Sequence, residues 1–403
     1  MIINRLMATT AVCCLLAGAA QAEVTLQFWD NQQTESGLSQ FQQEAVDRFQ
    51  AENPDIKVEV TTIPYPEYQQ RLLTAVQGGN APDIATLDQI WVAAFAEAGA
   101  VADLSEHAAK SGLSRDQFFA GAWDSAAYGD GLYGIPFNVD VWQFSFYNQD
   151  LLDAAGVDPQ SLTTFAGLRS AAEAMTGDGK FGVGLFGHKG EDTVVVVNSF
   201  IFSNGGEVLA ADGSCALNQA PAVEAMTYLQ DLAQFAPEGI LNASSGDMRE
   251  LFLNGSLAVE FWPALEQPTL QNSDLNWGFV NGTAPEGKTA VGTFGGWNLA
   301  VFDSSEHQEA AWKFIEFMVR EDVNGDVVDL IPANKAAATA FLAENRQGPD
   351  EIMAHLDNAA PRPLSARYLE VADIQMRLYQ DVFSGAEVQA AADAACGDID
   401  ALN

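Results

Sequence analysis

The chain has 403 residues, of which 48% are hydrophobic and 18% charged, and its formal net charge is −37 at pH 7. This length predicts two or three core-forming units. The acidic balance argues against nucleic acid and anionic membranes as partners, because a negative surface repels them, and it favours a salty habitat, where ions screen crowded carboxylates.

The first 22 residues read as a secretory signal peptide. Arg5 is their only charge, an apolar stretch follows, and Ala20-Gln21-Ala22 is a small-x-small cleavage pattern, so the mature chain should begin near Glu23. A membrane anchor fits less well, because the apolar run is shorter than the roughly 20 residues that a span needs. A lipoprotein also fits less well, because the residues before Cys13 are not a Leu-small-small run. The protein is therefore expected outside the cytoplasm.

Two cysteines remain after cleavage, Cys215 and Cys396. In an oxidising compartment they can form a disulfide that ties the C-terminal tail to the middle of the chain. The alternative is two separate buried thiols. Their spacing does not indicate a metal site.

The segment after the signal alternates between strand and helix patterns. Ile56, Val58 and Val60 alternate as in a strand, whereas Phe41, Ala45 and Phe49 keep helical spacing. The predicted strands are 24–29, 56–63 and 83–87, and the predicted helices are 37–51, 66–76 and 91–98. This βαβαβ order predicts a parallel sheet with helices on both faces, and ligands bind beyond the carboxyl ends of such strands.

The later part of the chain is punctuated by a long apolar run at 133–148 and by the segment "TFGGWNLAV" at 293–301. Gly295 and Gly296 allow a close backbone approach, and Trp297 follows them at once. The alternative is a glycine bend followed by a core tryptophan. No internal repeat or low-complexity linker separates these segments.

Several segments in this order carry a resemblance to a known family. They are "FQQEAVDRFQAENPDIKVEV", "APDIATLDQIWVAAFAEAGAVADL", "YGIPFNVDVWQFSFYNQDLLDAAGVDP", "FLNGSLAVEFW", "TFGGWNLAVF" and "EAAWKFIEFM". The mature chain resembles an extracellular solute-binding protein of an ABC importer, in the carbohydrate-binding branch that includes maltose- and trehalose-binding proteins. Each segment alone is weakly specific, but their order covers nearly the whole mature chain.

The resemblance implies an α/β fold of two lobes with a ligand cleft between them, each lobe a mainly parallel sheet flanked by helices. It places the N-terminal lobe at 23–137 plus 296–331 and the C-terminal lobe at 142–290 plus 335–403. The chain would cross between the lobes at 138–141, 291–295 and 332–334.

The resemblance also implies a periplasmic receptor that captures a sugar, oligosaccharide or polyol by closing its lobes. The receptor would then deliver the ligand to the transmembrane subunits of a permease, with the ATPase in the cytoplasm. It is expected to be a monomer without cofactor or metal. The loop "HKGED" (188–192) reads as a solvated loop rather than a metal site.

A sugar site needs flat aromatic rings for the C–H faces and carboxylate, amide or guanidinium groups for the hydroxyls. Matched to the family's cleft segments, the candidate ligand-binding residues are Asn31, Gln33, Glu35, Tyr65, Asp88, Trp91, Asp140, Trp262, Gly296, Trp297 and Arg362.

Each main candidate also has a structural explanation. Trp262 and Trp91 are alternatively core residues, and Asp88 is alternatively a helix N-cap. Glu35 is alternatively a first-turn helix charge, and Arg362 a surface ion pair.

Two other functions remain open at this point. A glycoside hydrolase would need two carboxylates at a set separation, which the composition allows, but no nucleophile elbow, P-loop or HExxH motif accompanies them. A receptor for glycerol phosphate, a sulfonated sugar or an osmolyte is the other alternative. An anionic ligand would want clustered arginines or a helix N-terminus, and few arginines fall near the predicted cleft.

Overall fold

The computed structural model describes residues 23–31, 38–326 and 331–402, apart from the side chains of residues 38–42 and 65–66. The predicted signal peptide therefore lies outside the described residues. None of the helices in the described part of the chain is long and apolar enough to cross a lipid bilayer.

The strands are β1 (Val24–Asp30), β2 (Ile56–Thr62), β3 (Ile84–Asp88), β4 (Ala127–Tyr128), β5 (Gly131–Leu132), β6 (Ile135–Val141), β7 (Phe144–Asn148), β8 (Val259–Trp262), β9 (Trp277–Val280), β10 (Thr293–Val301), β11 (Ile331–Pro332) and β12 (Ala360–Pro361). The helices are α1 (Leu38–Glu52), α2 (Tyr65–Gly78), α3 (Val92–Glu97), α4 (Ser105–Ser111), α5 (Ala120–Ser125), α6 (Gln149–Ala155), α7 (Phe165–Met175), α8 (Glu191–Ser203), α9 (Ala220–Leu232), α10 (Ser245–Leu253), α11 (Gln267–Gln271), α12 (Gln308–Met318), α13 (Glu321–Asn324), α14 (Lys335–Asn345), α15 (Pro349–Asp357), α16 (Tyr368–Phe383) and α17 (Val388–Asp400).

The first sheet has the strand order β11-β6-β10-β3-β1-β2, and β12 pairs with β10. Strand β1 lies parallel to both β2 and β3, as the βαβαβ pattern predicts. Strand β10 runs antiparallel to β3 and β6. The sheet is therefore mixed, because the chain returns to it from the opposite direction late in the sequence.

Helices cover both faces of this sheet. On one face Phe49 of α1 and Phe314 of α12 meet edge to face with their ring centroids 5.1 Å apart, beside Phe28 of β1. On the other face Tyr68 of α2 and Phe95 of α3 are buried in a cluster that includes residues of β3 and β10. The prediction of helices on both faces is confirmed.

The second sheet has three strands in the order β8-β7-β9, and both pairings are antiparallel. The expectation of a mainly parallel sheet therefore does not describe these strands. The apolar run 133–148 explains the difference: it forms both β6 and β7, so one nearly continuous stretch of chain supplies a strand to each sheet. The extended segment around Phe181 adds a parallel contact, because its backbone pairs with Ser256 and Ala258 beside β8.

The link between β6 and β7 is a sharp bend at Trp142 and Gln143. Gln143 has a φ of 77°, which is unusual for a residue other than glycine. Its side chain accepts a hydrogen bond from the Ser203 hydroxyl at 3.2 Å and donates one to the Thr283 carbonyl at 3.3 Å. These contacts hold the bend where the chain passes from one sheet to the other.

Cys215 and Cys396 are joined by a disulfide. The bond fixes the last helix, α17, to the turn that precedes α9. The backbone N–H of Cys215 also donates to the carboxylate of Asp400 at 2.8 Å, so the tail is attached at two points.

Candidate functional site

Three of the predicted site residues meet at one edge of the first sheet. Asn31 follows β1 directly, and Asp88 ends β3. Because β1 and β3 are parallel, their carboxyl ends lie at the same edge. Strand β10 runs antiparallel beside β3 and places Trp297 directly opposite Asp88.

Aromatic side chains form the base of this edge. The ring of Trp297 lies 5.7 Å from that of Trp91 and 6.4 Å from that of Tyr68, both in edge-to-face geometry. Trp91 and Tyr68 are buried, whereas Trp297 is half-buried. Trp91 is therefore a core residue that supports Trp297, and Trp297 keeps exposed ring surface on which the apolar face of a sugar could pack.

Polar groups beside these rings are held in place by hydrogen bonds. Asn31 is buried, and its backbone N–H donates to the Thr86 hydroxyl at 3.3 Å. The same hydroxyl lies 3.2 Å from a carboxylate oxygen of Asp30. The Tyr68 hydroxyl donates to the Trp29 carbonyl at 2.9 Å, and burial raises the pKa of Tyr68 well above its usual value.

Arg362 is buried and bridges two carboxylates. Its Nη2 lies 2.9 Å from Oδ1 of Asp88, and its Nη1 lies 3.2 Å from Oε2 of Glu191. The Tyr368 hydroxyl donates to the same Glu191 oxygen at 2.8 Å. Burial raises the pKa of Glu191, and the Arg362 charge partly opposes that shift. Arg362 therefore forms an ion-pair network, which is buried rather than at the surface.

Asp88 caps a helical turn, as the alternative interpretation of its sequence position expects, and it also pairs with Arg362. Its carboxylate accepts a hydrogen bond from the backbone N–H of Ile90 at 3.3 Å, which caps the short helical turn Gln89–Trp91. The same Oδ1 atom pairs with Arg362. The cap orients the carboxylate, and the ion pair links the end of β3 to the chain after β12.

Gly296 makes a close backbone approach, as its place in the sequence allows, and the partner is the neighbouring strand β6. Its φ is 142°, and a Cβ built there would lie 2.2 Å from the carbonyl oxygen of Asn138 on β6. The missing side chain is thus required for β10 to approach β6. At the preceding Gly295 a Cβ would meet only the Asp140 carbonyl oxygen, at 4.0 Å, so the open space beside Trp297 lies at Gly295.

Asp140 and Trp262 have packing contacts that sequence alone did not show. The carboxylate of Asp140 accepts hydrogen bonds from backbone N–H groups after β8, including that of Leu265 at 3.0 Å. Trp262 is 1% exposed, and its ring packs against those of Phe146 and Phe252. The structure therefore makes Trp262 a core residue, as in the alternative interpretation, because neighbouring side chains cover its ring.

Three further predicted residues lie wholly or partly outside the described part of the structure. Tyr65 begins α2, but its side chain lies outside the described part of the structure. Gln33 and Glu35 also lie outside the described residues. Glu191 and Tyr368 are residues that sequence reasoning did not select, and no local pattern pairs Glu191 with an arginine 171 positions away.

The fold and this edge define a two-domain solute-binding protein, with polar and aromatic groups collected at the carboxyl ends of parallel strands. The chain belongs to the bacterial extracellular solute-binding protein family, whose model matches residues 31–325. Members of this family are binding proteins. The resemblance noted from the sequence is confirmed.

Three similar proteins illustrate the relationship. A putative binding protein of Brucella abortus (strain 2308) is 25% identical over 350 residues, which cover 84% of this chain and 83% of that protein. An ABC transporter solute-binding protein of Thermotoga lettingae TMO, solved bound with α-D-tagatose, has a TM-score of 0.80 at 24% identity and covers 94% of this chain and 99% of that one. One of Agrobacterium radiobacter K84, in complex with ribitol, has a TM-score of 0.76 at 23% identity and covers 95% of this chain and 100% of that one.

Proposed function

We propose that this protein is the periplasmic receptor of an ABC importer, released after cleavage of residues 1–22, and that it binds a neutral sugar, oligosaccharide or polyol. The observation that carries the proposal is Trp297, a half-buried residue that lies opposite Asp88, at the sheet edge where Asn31 also follows its strand. The Trp297 ring would pack against the C–H faces of the ligand. The carboxylate of Asp88 and the amide of Asn31 would accept hydrogen bonds from the hydroxyl groups of the ligand. The tagatose and ribitol complexes of the similar structures support this ligand class.

The charges of the site support a neutral ligand over an anionic one. Arg362 is a cation at this edge, and both Asp88 and Glu191 already pair with it. The buried carboxylate of Asp30 adds further negative charge nearby. A phosphate or sulfonate would have to displace a carboxylate from Arg362 and would meet the other acids unshielded.

The proposed mechanism is closure of the two domains on the ligand. The chain would cross between them at 138–141, 291–295 and 332–334, as the resemblance implies. Passage of one chain segment from β6 in the first sheet to β7 in the second supports the first crossing. Ligand contacts made only in the closed form would shift the population toward it, and that form would dock as a monomer on the permease.

A thermal-shift screen tests this proposal, because a ligand that binds the folded state raises the apparent stability by mass action. The probes are D-tagatose, maltose, lactose and ribitol on one side, and glycerol 3-phosphate and a sulfonated sugar on the other. We expect at least one neutral probe to raise the unfolding temperature and the anions to leave it unchanged. A shift with the anions alone would contradict the proposed ligand class, and hydrolysis of a glycoside probe would contradict the receptor role.

A further inference from the structure

Asp140 lies at the point where the chain leaves the first sheet, one residue before the end of β6. It is 3% exposed. Its Oδ1 accepts hydrogen bonds from the backbone N–H groups of Val141 at 2.7 Å and Ala264 at 3.2 Å, and its Oδ2 accepts one from Leu265 at 3.0 Å. Two of these donors therefore lie more than 120 positions away, directly after β8 of the second sheet.

We propose that Asp140 is a positioning residue that ties the two sheets together through its carboxylate, rather than a ligand contact. Backbone donors already bond to both of its oxygens, and with the residue only 3% exposed little of the carboxylate faces a ligand. The tie joins β6 to the segment Pro263–Gln267, next to the bend at Gln143. It thus limits how the second sheet can turn relative to the first.

The length of the side chain suits this role. The backbone N–H groups of Val141, Ala264 and Leu265 all have the carboxylate as their acceptor. Hydrogen bonds to a charged acceptor are about twice as strong as those to a neutral one. An asparagine would keep one acceptor oxygen in the same place, whereas an alanine would keep none. Asp140→Asn therefore removes the charge and the Leu265 bond but keeps an acceptor for Ala264, whereas Asp140→Ala removes both bonds.

The surroundings of Asp140 make the tie sensitive to protons near neutrality. Burial raises the pKa of Asp140 to about 7, opposed by the backbone hydrogen bonds and by the charge of Arg346. Two other titratable groups lie on neighbouring elements. Glu266 is ion-paired with Arg249. Burial lowers the pKa of His355 to about 4, so this ring stays neutral around pH 7.

The direction of the proton effect follows from these pKa values. An unfolded aspartate ionises near pH 3.9, roughly three units below the folded value, so the folded protein holds the proton more tightly. The stability that Asp140 contributes is therefore present at low pH and is lost as the pH rises toward about 7. Over the same rise the bonds from Ala264 and Leu265 become charge-assisted and stronger.

Amide NMR of the whole mature protein tests the tie without any ligand. We expect the amide protons of Ala264 and Leu265 to titrate together with a midpoint near 7 and to lose the titration in Asp140→Asn. Amide hydrogen exchange should become at least about tenfold faster at both positions in Asp140→Ala. In Asp140→Asn an amide oxygen in the place of Oδ1 keeps the exchange of Ala264 near wild type, whereas the NH2 group in the place of Oδ2 leaves Leu265 without its acceptor and speeds its exchange. Asp103, whose carboxylate accepts backbone bonds elsewhere, provides the control Asp103→Asn, which should leave both amides unchanged.

The outcomes separate this inference from the receptor function. Amides of Ala264 and Leu265 that do not titrate in the wild-type protein, or that keep slow exchange in Asp140→Ala, would overturn the tie even if the protein binds sugar. If Asp140→Ala does not fold, the wild-type titration and Asp140→Asn decide the matter alone. A failure of the sugar screen would leave the amide result standing, because this experiment contains no ligand.

Discussion

The substitution Gly296→Ala tests whether this glycine serves the sheet or the ligand. A methyl group there would lie 2.2 Å from the Asn138 carbonyl oxygen and 2.9 Å from the Val139 Cα, both backbone atoms of the neighbouring strand. A φ of 142° adds strain for any residue with a Cβ, on the order of 1–3 kcal/mol. Because backbone cannot rotate away as a side chain can, we expect a total loss of about 3 kcal/mol or more of unfolding free energy.

The matched control is Gly295→Ala, one residue earlier on the same strand. Its new methyl group would meet only the Asp140 carbonyl oxygen at 4.0 Å, which is ordinary contact. We expect its unfolding free energy to stay within about 1 kcal/mol of the wild type. Urea unfolding followed by circular dichroism measures both variants. A stable Gly296→Ala protein would refute the packing argument and return Gly296 to the role of a ligand approach site.

Three further predictions concern stability. Reduction of the Cys215–Cys396 disulfide, which spans 181 positions, should lower the unfolding free energy by up to about 5 kcal/mol, and coincident urea curves with and without reductant would contradict this. Glu260 is fully buried, and burial raises the pKa of its carboxyl well above the usual value, against the opposing effect of the Phe261 backbone N–H. An unfolded glutamate loses its proton near pH 4.3, so stability should fall as the pH rises from there toward the raised folded value. Glu260→Gln should flatten this fall between about pH 5 and pH 8 in thermal denaturation, and equal slopes would contradict the argument. The net charge of −37 predicts an unfolding temperature that rises toward about 1 M NaCl, where the Debye length is about 3 Å, and an unchanged temperature would contradict it.

The helices and strands of the first half of the fold were predictable because their hydrophobic residues are regularly spaced. The alternation of Ile56, Val58 and Val60 gave β2, and the spacing around Phe49 gave α1, each with bounds within one or two residues of the structure. In a layered α/β fold each helix or strand buries one face, so its hydrophobic residues recur with the period of a helix or of a strand. The spacing of hydrophobic residues therefore predicts both the type of element and its buried face. The antiparallel second sheet was missed because strand direction depends on partners far along the chain.

The candidate site was predictable only in part, for a similar reason. Trp262 and Trp297 both lie in strands with apolar neighbours, and the sequence alone does not distinguish their surroundings. Their exposure differs because Phe146 and Phe252 cover one ring, whereas Trp297 meets Trp91 edge to face and keeps some surface open. Such contacts between distant segments leave no local pattern.

The charged residues show the same limit. Arg362 was selected as a ligand contact, but the structure pairs it with Asp88 and Glu191, which lie 274 and 171 positions away. Asp140 was selected for its place at a predicted crossing, and in the structure its carboxylate bonds to backbone N–H groups. Both residues lie near the ends of strands, as their positions in the sequence predict. Their hydrogen-bond and ion-pair partners are far away in the sequence and are brought close only by the fold.

Isothermal titration calorimetry with Trp297→Ala tests the central claim most directly. The control is Trp123→Ala, which removes another half-buried tryptophan, on α5, whose ring packs against Phe118. With the neutral sugar or polyol found in the thermal-shift screen, the account predicts that Trp297→Ala weakens binding at least about tenfold, or about 1.4 kcal/mol, while Trp123→Ala binds like the wild type. Equal affinity in the wild type and Trp297→Ala would show that the ligand does not rest on this ring and would contradict the account.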